Sequence, residues 1–252
     1  MLPVILTLGS IKIYSYPLFL GFAWGVAYHL ARYFSVTGFQ NDKGFNLFFC
    51  GNFIASWAGA KIVFLIVSDV SNYKQYLVSS SFWLGGGFVF YGGLIFSLFY
   101  SLFLCLVIKK YDLDRAVSAL LALPFAHAIG RCGCFLAGCC YGVETDGFIS
   151  VYMHNNYRHP VQLYEALLLL GLGVLLVYLF KRKKDSVTLI ITYLGIYSII
   201  RFFMEFLRGD EVRGLWAYGI STSQLFSIFL VTVLLIYGLG RMLSKKKGAN
   251  HG

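Results

Sequence analysis

A chain of 252 residues that is 58% hydrophobic and only 13% charged, with a mean hydropathy of +0.72, cannot be a water-solvated globular domain, where about 25% of residues are charged. A hydrocarbon core takes about 20 residues per helical span, which leaves room for about six to eight spans and none for a large extramembrane domain. The net charge of +10, from 21 Lys and Arg against 11 Asp and Glu, is read as membrane topology and not as a nucleic-acid surface.

In chain order, apolar stretches predict an all-α bundle of seven transmembrane helices at about 13–34, 46–67, 84–108, 116–137, 160–180, 187–207 and 216–240. Seven spans put the termini on opposite sides. With the C-terminus cytoplasmic, the inner side holds 13 basic residues: Arg32, Lys43, Lys109, Lys110, Arg115, the run at 181–184, Arg241 and the run at 245–247. The outer side then holds five, Lys12, Lys74, Arg158, Arg208 and Arg213. The positive-inside rule therefore sets the N-terminus outside. No Lys or Arg occurs in the first ten residues, which predicts no cleaved leader and keeps the first span in the mature protein. A single integral membrane domain over 1–252 follows, with a polar outer loop at about 143–159. The Lys/Arg runs serve as anchors on the anionic inner leaflet.

An ionisable group at mid-bilayer costs about 2.5–3.5 kcal/mol, so those that tolerate the cost are candidates for function. His127 and Arg131 are four apart in span four, Gln162 and Glu165 three apart entering span five, and Arg201, Glu205 and Arg208 stand at i, i+4 and i+7 on span six. Each set shares one helical face. Under the topology above they converge, with Tyr91 of span three, near the outer leaflet. The guanidiniums of Arg131, Arg201 and Arg208 exceed the carboxylates of Glu165 and Glu205, and a phosphate would balance the surplus, because the Arg fork matches phosphate bidentately. The competing reading is a set of interhelical bonds that hold the bundle together. Gly92, Gly93, Gly130, Gly133, Gly138 and Gly142 either let helices touch or let backbone approach a headgroup, and part of 133–142 is expected to be non-helical.

Cys132, Cys134, Cys139 and Cys140 form C-x-C-x4-C-C, too tight for the usual paired zinc ligands, so no metal is assigned. A disulfide among them and a reactive thiolate, with Cys139 or Cys140 as nucleophile, both stay open. Cys50 and Cys105 read as small core residues.

Several motifs together resemble the prolipoprotein diacylglyceryl transferases over most of the chain: Gly59-Ala60-Lys61, Gly86 with Tyr91-Gly92-Gly93, Gly130-Arg131 through Gly142, His159-Pro160-Val161-Gln162-Leu163-Tyr164-Glu165, Tyr197 to Arg208, and Ser223-Gln224. The resemblance implies a bacterial inner-membrane enzyme that needs no cofactor. It would move the diacylglyceryl group of phosphatidylglycerol to the lipobox cysteine thiol of a prolipoprotein signal peptide, releasing glycerol phosphate. It also implies that Tyr16, Arg131, Gly142, Arg201, Glu205 and Arg208 line the site with the arginines on phosphate, and that Gly92, Gly93 and Tyr197 belong to the substrate-binding set. Typical members carry His at Tyr91, Asn at Cys134, Asn at Ala137 and Glu at Cys139. A phenol with a pKa near 10 is a poor base at pH 7, so His127, one turn before Arg131, is the expected replacement. Two alternatives remain. One is a paralogue that moves a lipid or phosphoglycerol group to another acceptor, through Cys139 or Cys140; the other is a non-catalytic lipid-binding or transport protein.

Overall fold

The computed structural model describes residues 1–9, 11–35, 43–67, 73–79, 82–83, 89–107, 113–210 and 219–249. Gly86 and the predicted span edges at 84–88 and 216–218 lie outside the described residues, as does the side chain of Tyr91. Helices dominate: α1 (Ser15–Phe34), α2 (Lys43–Val67), α3 (Tyr73–Val78), α4 (Phe90–Val107), α5 (Leu113–Ala137), α6 (Val161–Lys181), α7 (Ser186–Phe206) and α8 (Thr222–Ala249). Four stretches, 44–66 in α2, 117–137 in α5, and all of α6 and α7, are long and apolar enough to cross a membrane. The chain divides into two compact units, Met1–Ala137 and Gly138–Gly252.

In the first unit α1 packs on α5 and α2 packs on α4. Small residues make both contacts close. Ala23, Ala27 and Ala31, spaced four apart, are the buried stripe of α1, and Ala27 and Ala31 meet Phe45 and Phe49 of α2 and Ala122 of α5. A Cβ on Gly59 would fall 2.5 Å from the Gly92 carbonyl oxygen, and one on Gly92 would fall 2.4 Å from that of Gly59. Only hydrogen fits between α2 and α4 there, which is the small-residue helix contact of membrane proteins. Asn52 Oδ1 accepts from Ser97 (2.7 Å) and Ser101 (3.0 Å), tying the same two helices. Ahead of α1 the chain forms a hairpin of β1 (Val4–Leu8) and β2 (Ile11–Tyr14), turned at Gly9 with φ +59°. It is held by Ser15 N to the Pro3 carbonyl (3.0 Å) and Leu2 N to the Leu136 carbonyl (3.0 Å). The sequence reading had no element there, because two apolar runs of five and four residues are too short to register as a span.

The second unit holds α6 to α8, with α7 packed on both neighbours. On α6 the buried positions Val161, Gln162, Glu165, Ala166, Leu169, Leu172, Gly173 and Leu176 follow a helical stripe, while Leu167, Leu168, Leu170 and Val174 face outward as a lipid-solvated surface would. Asp185 caps α7 by accepting from Thr188 N (3.2 Å), and Ser221 with Gln224 forms a reciprocal box at the start of α8. The segment expected as a polar loop at 143–159 contains an ordered hairpin, β3 (Val151–Met153) with β4 (Asn156–Arg158). Its two-residue turn, His154-Asn155, has both φ angles positive (54° and 64°), as a type I′ turn requires. The usual Asn-Gly signal is replaced by His-Asn, which is why the strands were missed.

Candidate active site

The second unit gathers charge at the end of α7. Arg201 and Glu205, one turn apart, pair at 2.6 Å through Nη2, which also donates to Ser223 Oγ of α8 at 3.1 Å. Arg201 Nη1 lies 3.9 Å from the Glu165 carboxylate of α6 and, among the described residues, has no hydrogen-bond acceptor although it is buried. Glu205 is in turn 3.9 Å from Arg208 Nη1. Arg208, just past the helix, forks onto Asp210: Nε to Oδ1 at 2.8 Å and Nη2 to Oδ2 at 2.5 Å. Glu165, Arg201, Glu205, Arg208 and Asp210 thus alternate in sign along one run. Burial alone would lower the pKa of Arg208; the hydrogen bonds it donates to Asp210 and the nearby Cys140, Asp210 and Glu205 outweigh it and raise the pKa above its ordinary value. Arg208 is therefore a cation at every working pH.

This run changes the charge count made from sequence. Within the unit two guanidiniums meet three carboxylates, so the positive surplus expected from the sequence does not arise from Arg201 and Arg208 alone. Asp210 was missed because it stands beyond the apolar span, where an acid carries no desolvation signal. Arg131, the third member of the expected clamp, belongs to the first unit.

Gly142 has a packing role. Its Cβ would fall 2.3 Å from the His159 carbonyl oxygen, and a Cβ on Gly209 would fall 2.5 Å from the Gly142 carbonyl oxygen. Three segments meet there: Val143 N donates to the Leu207 carbonyl (2.9 Å), Gly209 N to that of Tyr141 (2.9 Å), and Gly142 bridges Arg208. The two glycines are what let the segment after Gly138 lie flat against the base of Arg208. Arg158, counted from sequence as an outer basic residue at the head of the 158–165 stretch that carries the resemblance, closes this region. It binds Glu144 (2.7 Å) and the Gly142 carbonyl (3.3 Å), and covers the Tyr141 ring at 4.9 Å. Gln162 Nε2 donates to the Cys139 carbonyl at 2.7 Å. Tyr197, one turn before Arg201, stacks on Tyr193 with rings 5.9 Å apart. Cys139 is exposed and Cys140 half-buried, both as thiols, so no disulfide joins the cysteines of 132–140.

In the first unit His127 and Arg131 are both half-buried and one turn apart on α5. Gly133, two residues on, accepts Phe19 of α1 so closely that a Cβ would fall 2.6 Å from Phe19 Cβ and 3.7 Å from the Tyr16 carbonyl oxygen. The first turn of α1, with Tyr16, therefore lies against the turn of α5 that follows Arg131. Gly92 and Gly93 are occupied by helix contact: the Gly59 carbonyl and Val63 crowd one, and Ser56 the other at 3.0 Å. Their surroundings are the α2–α4 interface, the close helix contact that is one of the two roles the sequence allowed. Tyr91 is placed on α4 by its backbone.

Long apolar helices with a buried, alternating Arg–carboxylate run define a helical, multi-pass membrane protein with a charged cluster at a helix end. A sequence profile of the prolipoprotein diacylglyceryl transferases matches residues 3–239. Phosphatidylglycerol–prolipoprotein diacylglyceryl transferase 2 of Clostridium perfringens is 32% identical over 250 residues, covering 94% of this chain and 95% of the relative. The phosphatidylglycerol–prolipoprotein diacylglyceryl transferase of Clostridium tetani is 30% identical over 253 residues (96% and 98%), and that of Campylobacter jejuni is 30% identical over 249 residues (90% and 89%). The chain belongs to the prolipoprotein diacylglyceryl transferase family.

Proposed function

We propose that this protein transfers the diacylglyceryl group of phosphatidylglycerol to the cysteine thiol of a prolipoprotein in the bacterial inner membrane, as one membrane domain of seven spans with the N-terminus outside. The observation that carries the reading is Arg201 Nη1, a buried guanidinium donor with no hydrogen-bond acceptor among the described residues, held in a run of charge on a chain of this family. A buried, unmet donor is costly unless a ligand meets it, and a phosphate oxygen is the strongest acceptor a membrane offers. Arg201 and Arg208 bind the lipid phosphate, and Arg131 of the first unit is a third arginine required for transfer. Glu205 fixes the Arg201 fork, and Asp210 fixes that of Arg208. Tyr197, one turn before Arg201, flanks the headgroup, and Tyr16 of the first unit belongs to the substrate-binding set.

The chemistry is a displacement at the glyceryl carbon next to the phosphate ester. The thiol sulfur forms a C–S bond, the C–O bond breaks, and negative charge builds on the departing phosphate, where the guanidiniums stabilise it more than in the ground state. His127 takes the thiol proton in place of the histidine usual at Tyr91. Purified protein given phosphatidylglycerol and a lipobox peptide should yield a lipidated peptide by mass spectrometry, lost in Arg201→Ala and Arg131→Ala; an unmodified peptide with wild-type protein overturns the reading. A fully active His127→Ala variant removes that base. The substitutions at Tyr91, Cys134, Ala137 and Cys139 favour a second reading, a paralogue with another acceptor, in which phosphatidylglycerol is consumed while the peptide stays unmodified.

A further inference from the structure

Leu136 and Ala137, the last two residues of α5, with Gly138 and Cys139 after them set an aliphatic residue, two small residues and a cysteine at the end of a helix long and apolar enough to cross a membrane. A signal peptide has the same order, with basic residues first, then an apolar run, then small residues at its end. Lys109, Lys110 and Arg115 supply the basic residues before this run. The acceptor of the proposed reaction is a cysteine at the end of such a segment, so the chain carries the acceptor's pattern within itself.

The structure of the second unit favours reaction at Cys139. It is exposed, and it follows Gly138, whose φ of +76° turns the backbone out of the helical course. Its carbonyl is fixed by Gln162 Nε2 at 2.7 Å. Gln162 is 1% exposed, and its Oε1 has no hydrogen-bond donor among the described residues, so the side chain that holds the cysteine's carbonyl also carries a buried acceptor that a glycerol hydroxyl would satisfy. Three residues on, Gly142 bridges Arg208. The short segment from Cys139 to Gly142 thus carries a thiol and is contacted by Gln162 of α6 at one end and by Arg208 at the other.

We propose that Cys139 is an acceptor of the protein's own reaction and carries a diacylglyceryl thioether. The proposal rests on the transferase reading above. Cys139 Sγ forms a bond to the glyceryl carbon, the carbon–oxygen bond to phosphate breaks with its electron pair going to oxygen, and glycerol phosphate leaves bearing the thiol proton. A thioether is a poor leaving group, so each chain is modified once. Cys140 is not equivalent, because it follows a cysteine and not the small pair, and its backbone is left-handed with φ 55°.

The test incubates the purified full chain with phosphatidylglycerol, with and without a lipobox peptide, and reads intact mass and fragment spectra of both. A gain of one diacylglycerol less one water, mapped to Cys139, stable to hydroxylamine and absent in Cys139→Ser, is the expected result. A lipidated peptide with unmodified protein overturns this proposal and leaves the transferase reading standing. An adduct on Cys140 alone, or a hydroxylamine-labile single acyl chain, also overturns it. Neither peptide nor protein modified overturns both.

Discussion

The two units use polar groups in opposite ways. In the first, α2 and α4 meet through Gly59, Gly92 and the neutral bonds of Asn52 with Ser97 and Ser101, and Tyr28 donates to Asn46 at 2.6 Å. Even the buried Lys61 is settled locally, its ammonium on the Phe82 carbonyl and 4.5 Å from the centre of that ring. In the second, five charged side chains from α6, α7 and the segment after α7 alternate over one short run. Neutral interhelical bonds average about 0.6 kcal/mol and suffice to hold membrane helices together. Buried ion pairs rarely add stability over apolar packing, so their retention at the end of α7 points to a ligand and not to cohesion.

The comparison breaks most directly at Arg201. Arg201→Ala takes the nearest cation from buried Glu205 and the cation facing Glu165, which should cost about 3–5 kcal/mol of stability. Transfer should fall at least about 100-fold, the loss typical of one transition-state donor. Thermal unfolding in detergent and peptide lipidation measure the two effects. Arg201→Lys separates them, because charge persists while the fork is lost: stability should largely return and transfer should not. Asp210→Asn weakens the fork that positions Arg208, at a cost of about 1.5–3 kcal/mol, so the KM for phosphatidylglycerol should rise; an unchanged KM would mean that Arg208 does not touch the lipid.

The glycines sharpen the contrast. Gly142→Ala and Gly59→Ala each meet a backbone oxygen, at 2.3 Å and 2.5 Å, and should each cost about 1–3 kcal/mol. Only Gly142→Ala should also depress transfer beyond the loss of folded protein, since it displaces Arg208. The smallest effect belongs to Asn52→Ala, whose bonds are worth at most about 1.7 kcal/mol, with transfer per folded molecule unchanged. A loss of transfer with full stability would move Asn52 into the reaction.

The helices were legible because apolar runs of span length stand out in the sequence: each predicted stretch contains a helix of 18 residues or more, and four of the described helices are long and apolar enough to cross a membrane. The polar pairs at 162/165 and 201/205 were legible for the complementary reason, that charge stands out against lipid. What escaped lay outside the apolar runs: the β1–β2 hairpin, the His154-Asn155 turn, Asp210 and Arg158, where a polar or short segment has no background against which to be noticed. The glycines were ambiguous from spacing, and only coordinates reveal that Gly92, Gly93 and Gly142 face protein backbone or side chain and not open space.

One comparison of variants tests the central claim, that the Arg201 run is a phospholipid site and the Asn52 cluster is cohesion. It is the initial rate of diacylglyceryl transfer from phosphatidylglycerol to a cysteine peptide, normalised to folded protein, for wild type, Arg201→Gln and Asn52→Ala. The account predicts wild-type rates for Asn52→Ala and at least about a 100-fold loss for folded Arg201→Gln. A folded Arg201→Gln variant that turns over like wild type would contradict it.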